Sequence, residues 1–465
     1  MNPFTTVSLI PLAGLTFLGL SGCVTTERPA SSLSIPAAWQ HSANTKALDT
    51  GALTRWWKRF DDPTLNQLVA KTLANNTDLR TAVSLVEESR AQRGVTRSAL
   101  LPSLDGSSSA QKSRSHDSGG SDTSSSYSAS LQPSWEVDLS GKLAKDLQAA
   151  DSDLAEAQEN LHALQVSLSA EMADAYVSLR VAEAQLDIIK RNVASSQETA
   201  DVTRWEEQAG EGTTFSTQQA KSTLEQARAS IPDAEQAIRE AKNRITLLAG
   251  LAPGALDSLL ARGSDIPAPP ATIATGIPAD TLRNRPDVRA AEYAFAAAIA
   301  RTQSAEREQY PSLTLSGSLG LEALSTGTIF SPETTAANAL GNLTAPIFNG
   351  GRIRENINIQ TAREKQALIT WESTILTALS EVEDALIAIR WTNSRLNILK
   401  GAVDSARQAE KLARLNYKAG EIDLLDVLTA QRTLLSLEES QALAQGSLSS
   451  AHIQLYKALG GGWSK

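Results

Sequence analysis

A chain of 465 residues with a formal charge of −9 and no basic run offers no electrostatic footprint for nucleic acid. Only 5% of it is aromatic, whereas Ala, Leu, Gln, Glu and Ser are abundant, which favours long helices over a thick aromatic core. The single cysteine excludes a disulfide within the chain, and His41, His116, His162 and His452 are scattered without zinc-ligand spacing, so no metal or cofactor is implied.

The chain opens on an apolar run, Val7 to Leu20, long enough for a signal-peptide core and too short for a comfortable transmembrane helix. It ends in Leu20-Ser21-Gly22-Cys23, which resembles a bacterial lipobox. Residues 1–22 then read as a signal peptide and Cys23 as the lipid-attachment site, although the first six residues carry no Lys or Arg. Val24 after the cysteine resembles the lipoprotein signal for export to the outer membrane. Residues 23–55, rich in Ser, Thr, Ala and Pro, read as an extended tether. Pro63 marks a first helical turn.

From here the chain repeats itself. Asp78-Leu79-Arg80-Thr81-Ala82 matches Asp287-Val288-Arg289-Ala290-Ala291, and Leu101-Pro102-Ser103-Leu104 matches Tyr310-Pro311-Ser312-Leu313. Gly141-Lys142-Leu143 matches Gly351-Arg352-Ile353, Ala209-Gly210-Glu211 matches Ala419-Gly420-Glu421, and Gly250 matches Gly460. The offset stays at about 210 residues, so residues 56–250 and 284–465 are two copies of one unit joined by a Pro-rich linker over 251–283.

Each copy predicts a short Pro-terminated helix, a Ser/Gly-rich stretch, a very long helix, a glycine break and a further long helix. No Pro or Gly falls between Gly141 and Gly210, and about 68 residues of helix would span roughly 100 Å, more than a globular domain. Leu147, Ala150, Leu154, Ala157, Leu161, Leu164 and Leu168 alternate spacings of three and four, as in a coiled coil. The register fails at Glu171 and resumes at Met172, Ala175, Leu179, Ala182, Leu186 and Ile189. Arg352 to Ala419 repeats the design, with Gly401 as its one interruption.

The Ser/Gly stretches, 103–138 and 312–349, each read as two strands joined by a loop. Leu313, Leu315, Gly317, Leu319 and Leu321 alternate with small polar residues, the dyad pattern of a barrel wall. Ser107 to Ser115 is almost wholly polar, and there a disordered loop and a strand are equally consistent with the sequence. Four strands cannot close a membrane barrel, which needs about eight or more; three chains would pool about a dozen.

Five motifs in this order carry a resemblance: Cys23, Trp57 to Leu65, Trp135-Glu136-Val137-Asp138-Leu139-Ser140-Gly141-Lys142, Arg285-Pro286-Asp287-Val288-Arg289 and Ala345-Pro346-Ile347-Phe348-Asn349-Gly350-Gly351-Arg352. The chain resembles the TolC-like outer-membrane efflux channels, in the lipoprotein branch that accompanies resistance-nodulation-division pumps. The resemblance covers essentially the whole mature chain. It implies a mixed all-α/β-barrel fold, a trimer in which a 12-stranded outer-membrane β-barrel continues into a long periplasmic α-helical barrel, four strands per chain. The implied partners are a periplasmic adaptor protein and an inner-membrane pump, and the implied function is a passive exit duct for small molecules such as drugs or other amphiphiles.

The same resemblance gives the glycine breaks a role. Gly210, Glu211, Gly420 and Glu421 would lie at the periplasmic tips where the adaptor docks, and Tyr417, Asp423 and Asp426 would line the aperture. The family's basic gate residue falls at Ile422, a second aspartate at Thr429 and an acidic partner at Ser216, which argues against a gate held by salt bridges. The rival readings are weaker. Leu459-Gly460-Gly461-Gly462-Trp463 lacks the strand, helix and Lys-Ser/Thr context of a phosphate loop, so nothing here points to an enzyme. A lipid-anchored coiled-coil scaffold or adaptor without a pore is the alternative, and it predicts no barrel.

Overall fold

The computed structural model describes residues 33–41, 50–117, 119–261, 263, 265–270, 276 and 278–463; Cys23 and the signal segment lie outside the described residues. In chain order the helices and strands are α1 (Thr50–Thr54), α2 (Pro63–Asn75), α3 (Thr77–Ser98), β1 (Ser103–Asp117), β2 (Gly120–Val137), α4 (Lys142–Ala209), α5 (Thr214–Leu248), α6 (Asp257–Leu260), α7 (Pro278–Asn284), α8 (Pro286–Arg307), β3 (Ser312–Ala323), β4 (Thr335–Thr344), α9 (Arg352–Lys418) and α10 (Leu424–Ala458). A 3₁₀ turn, Trp56–Phe60, precedes α2. No described helix is long and apolar enough to cross a membrane.

The duplication is visible in what the paired glycines do. Gly250 (φ 67°) follows α5, and a Cβ there would stand 2.3 Å from the carbonyl oxygen of Asn75. Gly460 (φ 75°) follows α10 and approaches the Asn284 carbonyl in the same way, at 3.0 Å. Both are left-handed and both seat the end of one long helix on the junction of two short ones, a place where a side chain would be strained and would collide.

Helices α4 and α9 run 68 and 67 residues, the length read from the sequence. Toward the strands α4 packs between α3 and α8, and α8 packs on α9; toward the turns α4 packs between α5 and α10, and α10 packs on α9. Toward each end, the protomer is therefore a row of four adjoining helices. Gly401 does not interrupt α9, which runs straight through it: an isolated glycine costs a helix only about 1 kcal/mol, and 67 residues of ladder absorb that. The expected seam is buried at Ala150, Leu168, Met172, Ala175 and Leu179, with Glu171 exposed, while Leu147, Leu154, Ala157, Leu161 and Leu164 stay half-buried in the single protomer.

The core lies where these rows meet. Trp56 is fully buried, stacks on Tyr456 with centroids 5.2 Å apart, and meets Trp57 and Phe60 edge-on. Met172, Tyr176 and Leu179 of α4 close over it. Asp62 caps α2 by accepting from the N–H groups of Thr64 and Leu65 at 2.8 and 3.0 Å, and it accepts the Tyr176 hydroxyl at 2.7 Å, so one carboxylate joins helix cap to core. In the second half Arg285 is the corresponding clasp. It donates to the Ala458 carbonyl at 3.0 Å and pairs with Asp287 and Glu381 at 2.6 and 2.7 Å. Burial alone would pull its pKa down; the bonds and charges of Asp287 and Glu381 outweigh that and raise it.

Two segments differ from the sequence reading. The tether is more than an extended linker: Trp39 is buried in the core, Leu33 packs on Leu282, Val288, Ile375 and Ala378, and Glu383 of α9 accepts from the Gln40 N–H at 2.6 Å and meets His41 at 2.8 Å. Residues 50–54 are helical. A lone tryptophan in a Ser/Thr/Pro background has no period to betray it. In the second hairpin the strands stop at Ala323 and Thr344, leaving 345–349 outside the sheet, because Pro346 lacks the N–H a ladder requires.

Candidate functional site

The two glycine breaks form a pair of tight turns. At Gly210 (φ 79°) the N–H groups of Glu211 and Gly212 donate to the Glu206 carbonyl at 2.9 and 3.0 Å; at Gly420 (φ 75°) the Glu421 N–H reaches Asn416 at 2.9 Å. Both follow the left-handed helix ending in which late amides satisfy orphan carbonyls. Glu211, Glu421, Asp423 and Asp426 are all exposed beside them. Asp423 and Asp426 stand three residues apart at the start of α10, on one face, and the Asp426 carboxylate has no hydrogen-bond or ion-pair partner among the described residues.

Tyr417 is not free in an opening. Its hydroxyl donates to Glu206 of α4 at 2.6 Å, and its ring joins Ala200, Ala220, Leu424 and Leu428. Burial first, and then the Glu206 carboxylate beside it, push the phenol well above its usual pKa, so it remains a donor at any physiological pH. About two helical turns back along α4, Glu198 accepts from Arg414 at 2.6 Å and Lys418 at 2.9 Å, and Arg414 also pairs with Glu410 at 3.0 Å. The hydrogen bond from Lys418, and then the charge of Arg414, hold the Glu198 carboxyl below the usual range. Within the protomer, then, ion pairs do stand beside the turns. The acidic partners come from the last turns of α4, not from position 216, and α9 is fastened to α4 by the Tyr417–Glu206 hydrogen bond, the two ion pairs of Glu198 and a hydrogen bond from Ser195 to Glu410 at 3.2 Å.

Sequence reading also missed an apolar rim. Phe215 and Leu425 occupy equivalent positions after the two turns and are 76% and 57% exposed, and Trp205 and Leu415 before the turns are exposed as well. The signal was available in the repeat offset, since 205/415 and 215/425 are both apolar pairs 210 apart.

At the other end the four strands form one antiparallel sheet in the order β1-β2-β3-β4. Ser107–Ser115 is strand, paired along its length with β2 and held by hydroxyl contacts Ser107–Ser130, Ser109–Ser128 and Ser113–Ser124 at 3.0, 2.9 and 2.8 Å. The register sorts the two faces. Leu104, Ala110, Tyr127, Ala129, Leu131 and Trp135 share one face with the odd-numbered residues of β3 and β4, from Leu313 to Leu343. The other face carries most of the serines, Asn338 and Asn342, and carboxylates including Asp105, Asp122, Glu136 and Glu322, with no Lys, Arg or His among the described residues. Leu104, Leu319 and Leu343 are exposed, and the outer edges of β1 and β4 have no strand beside them among the described residues. From Tyr127 to Val137 the apolar face extends about ten residues, which at about 3.4 Å each and a tilt near 40° gives about 26 Å, the height of an outer-membrane barrel band.

Comparison with known proteins matches this geometry. The outer membrane efflux protein family matches residues 68–251 and 277–461, one match per structural copy. The pyoverdine export outer membrane protein OpmQ of Pseudomonas putida is 32% identical over 98% of this chain and 97% of its own length, and the toluene efflux pump outer membrane protein TtgF of the same species is 30% identical, covering 96% and 95%. Among solved structures, the outer-membrane channel OprN superposes with a TM-score of 0.86 at 32% identity, over 94% of this chain and 99% of that one. The open state of the MtrE outer membrane channel of Neisseria gonorrhoeae superposes at 0.80 with 29% identity, over 94% and 97%. With a duplicated helical frame, a banded sheet and these relatives, the chain belongs to the outer membrane efflux protein family and is an outer-membrane efflux channel of TolC-like fold.

Proposed function

We propose that three copies of this chain close into one channel that serves as the exit duct of a tripartite efflux pump, with a periplasmic adaptor and an inner-membrane pump as its partners. The observation that carries the reading is the four-stranded sheet with an apolar outer face, a polar inner face and two unpaired edges. Unpaired edges cannot stand in hydrocarbon, and four strands cannot close; pairing β4 of each copy with β1 of the next removes every edge and gives twelve strands. The helical layers then continue the barrel toward the cell interior. The channel conducts passively and passes small molecules of the amphiphilic kind.

The tips supply docking and closure. Gly210, Glu211, Gly420 and Glu421 set the shape of the ends, and Phe215 and Leu425 offer the adaptor an apolar contact. Asp426, repeated three times around the axis with Asp423 beside it, forms a carboxylate ring at the aperture, the usual device for preferring cations. The Tyr417–Glu206 bond and the Glu198 pairs hold α9 against α4 in the closed arrangement. Cys23 carries the lipid that tethers each chain to the membrane. Planar-bilayer recording on the purified protein tests the channel, and the scaffold alternative predicts no conductance. Cys23→Ser removes the only thiol, so radiolabelled palmitate should disappear from the chain while efflux persists, because the barrel and not the lipid spans the membrane. Undiminished label in that variant would overturn the lipid assignment.

A further inference from the structure

The apolar face of the sheet does not stay apolar to its end. Beyond Ala110 the next three residues of β1 on that same face are Lys112, Arg114 and His116, opposite Ser125, Thr123 and Ser121 of β2. They form a column with about 6.8 Å between neighbours, starting one step past the ring of Tyr127, on the side of the sheet away from the long helices. All three are exposed, and none has an ion-pair partner among the described residues; Arg114 donates only to the neutral Ser121 hydroxyl, at 3.2 Å. The segregation is complete across the sheet. Among the described residues, the side chains on the polar face include only acidic charges, Asp105, Asp122, Glu136 and Glu322 among them, whereas the charged or imidazole side chains on the outward face of the strands are these three basic ones.

Charge placed outside the barrel wall does nothing for the permeant. Its height does have a meaning. An aromatic residue at the edge of the hydrocarbon band marks the interface with the headgroups, so Lys112 to His116 stand at headgroup level on the lipid-facing surface. Mid-band, lysine and arginine on the lipid face are strongly destabilising, and here they begin where that penalty ends. We propose that Lys112, Arg114 and His116 form a binding site for phosphorylated lipid headgroups of the outer leaflet. The column offers donors from an ammonium, a guanidinium and an imidazole to phosphate oxygens, while the acyl chains of the same lipid lie along Ala110, Ala129 and Leu131 below. The proposal rests on the closed-channel reading, since only a closed barrel turns this face toward lipid on every side.

Native mass spectrometry tests both at once. The full chain is purified as an assembly, placed in phosphatidylcholine nanodiscs doped with lipid A, and the lipids retained are counted. The wild type is expected to keep lipid A in preference to phosphatidylcholine. The variant Lys112→Ser/Arg114→Ser/His116→Gln is expected to keep about twentyfold less, since the lysine and the arginine are each worth about a fivefold gain near an anionic surface. Lys112→Arg should bind as the wild type does, and Asp122→Asn on the opposite face should change nothing. Equal retention by the triple variant, or displacement of lipid A by inorganic phosphate alone, would overturn the lipid assignment. Because the same spectrum reports the mass of the assembly, single chains would instead overturn the closure reading and this proposal with it.

Discussion

The two turns at the tips share a backbone and differ in what their side chains do. The first is satisfied from within: Thr213 caps α5 by accepting the Ser216 N–H at 3.2 Å, Thr214 donates to Glu207 at 2.6 Å, and Gly212 fits where a Cβ would stand 2.9 Å from the Glu207 nitrogen. The second has Ile422, Asp423 and Asp426 at the corresponding positions, and Asp423 caps α10 with no side-chain bond. Duplication preserved the left-handed glycine and the orphan-carbonyl bonds because the chain reversal needs them. It released the capping positions, and carboxylates free of internal partners took their place. The first turn is built to hold its shape, the second to present charge.

The largest expected effect breaks that asymmetry. Asp426→Asn should weaken block by trivalent cations in planar bilayers by at least about a hundredfold, because in the proposed trimer three carboxylates around one axis would act together on a single ion; Ser216→Asn, at the same place in the first turn, should leave block unchanged. A wild-type reversal potential and blocking affinity in Asp426→Asn would place the constriction elsewhere. Next in size is Tyr417→Phe. A hydrogen bond to a carboxylate contributes about 1.5–3 kcal/mol, so the open population should rise roughly ten- to a hundredfold in single-channel recordings. Glu207→Gln, which touches only Thr214 and Thr217 of its own turn, should not open the channel.

Smaller still is Gly420→Val. A β-branched residue in the left-handed region costs about 1–2 kcal/mol, enough to distort the tip and weaken adaptor crosslinking about tenfold while assembly persists. Gly210→Val should cost the same, since the two backbones are equivalent. The smallest effect is that of pH. Glu198 titrates below the usual value of 4.5, so its pairing contributes fully above that value and is lost as pH falls through the lower folded-state pKa. Acid below about pH 4.5 should therefore raise open probability modestly, and Glu198→Gln should abolish the response. The effect is small because the pair is half exposed and screened by water.

What the sequence made legible follows the same division. Glycine pairs at 210-residue spacing disclosed the two copies, the long helices and both turns, because left-handed backbone is a local demand that only certain residues meet. Strand β1 was ambiguous because its outward positions include Gly106, Ser108 and Ala110, too small to register as apolar, although the register places them against Leu131, Ala129 and Tyr127. Tyr417 was found through resemblance, but its partner Glu206 and the Glu198 hub were not, since no local pattern reports which polar side chains meet across two long helices. Trp39 escaped because a lone tryptophan has no period around it. The basic column on β1 was invisible until pairing fixed which residues share a face.

The central claim is that the open sheet closes by pairing between copies. A cysteine at Ala110 of β1, combined in turn with one at Thr335, Ala337 or Ala339 of β4 in the Cys23→Ser chain, tests it under mild oxidation. Each of these positions lies on the outward face, in one protomer too far across the sheet for a bond. The account predicts that at least one register gives covalent species ending at three chains, in outer-membrane fractions and with conductance retained. Uncrosslinked single chains at every register, or ladders running beyond three, would contradict it.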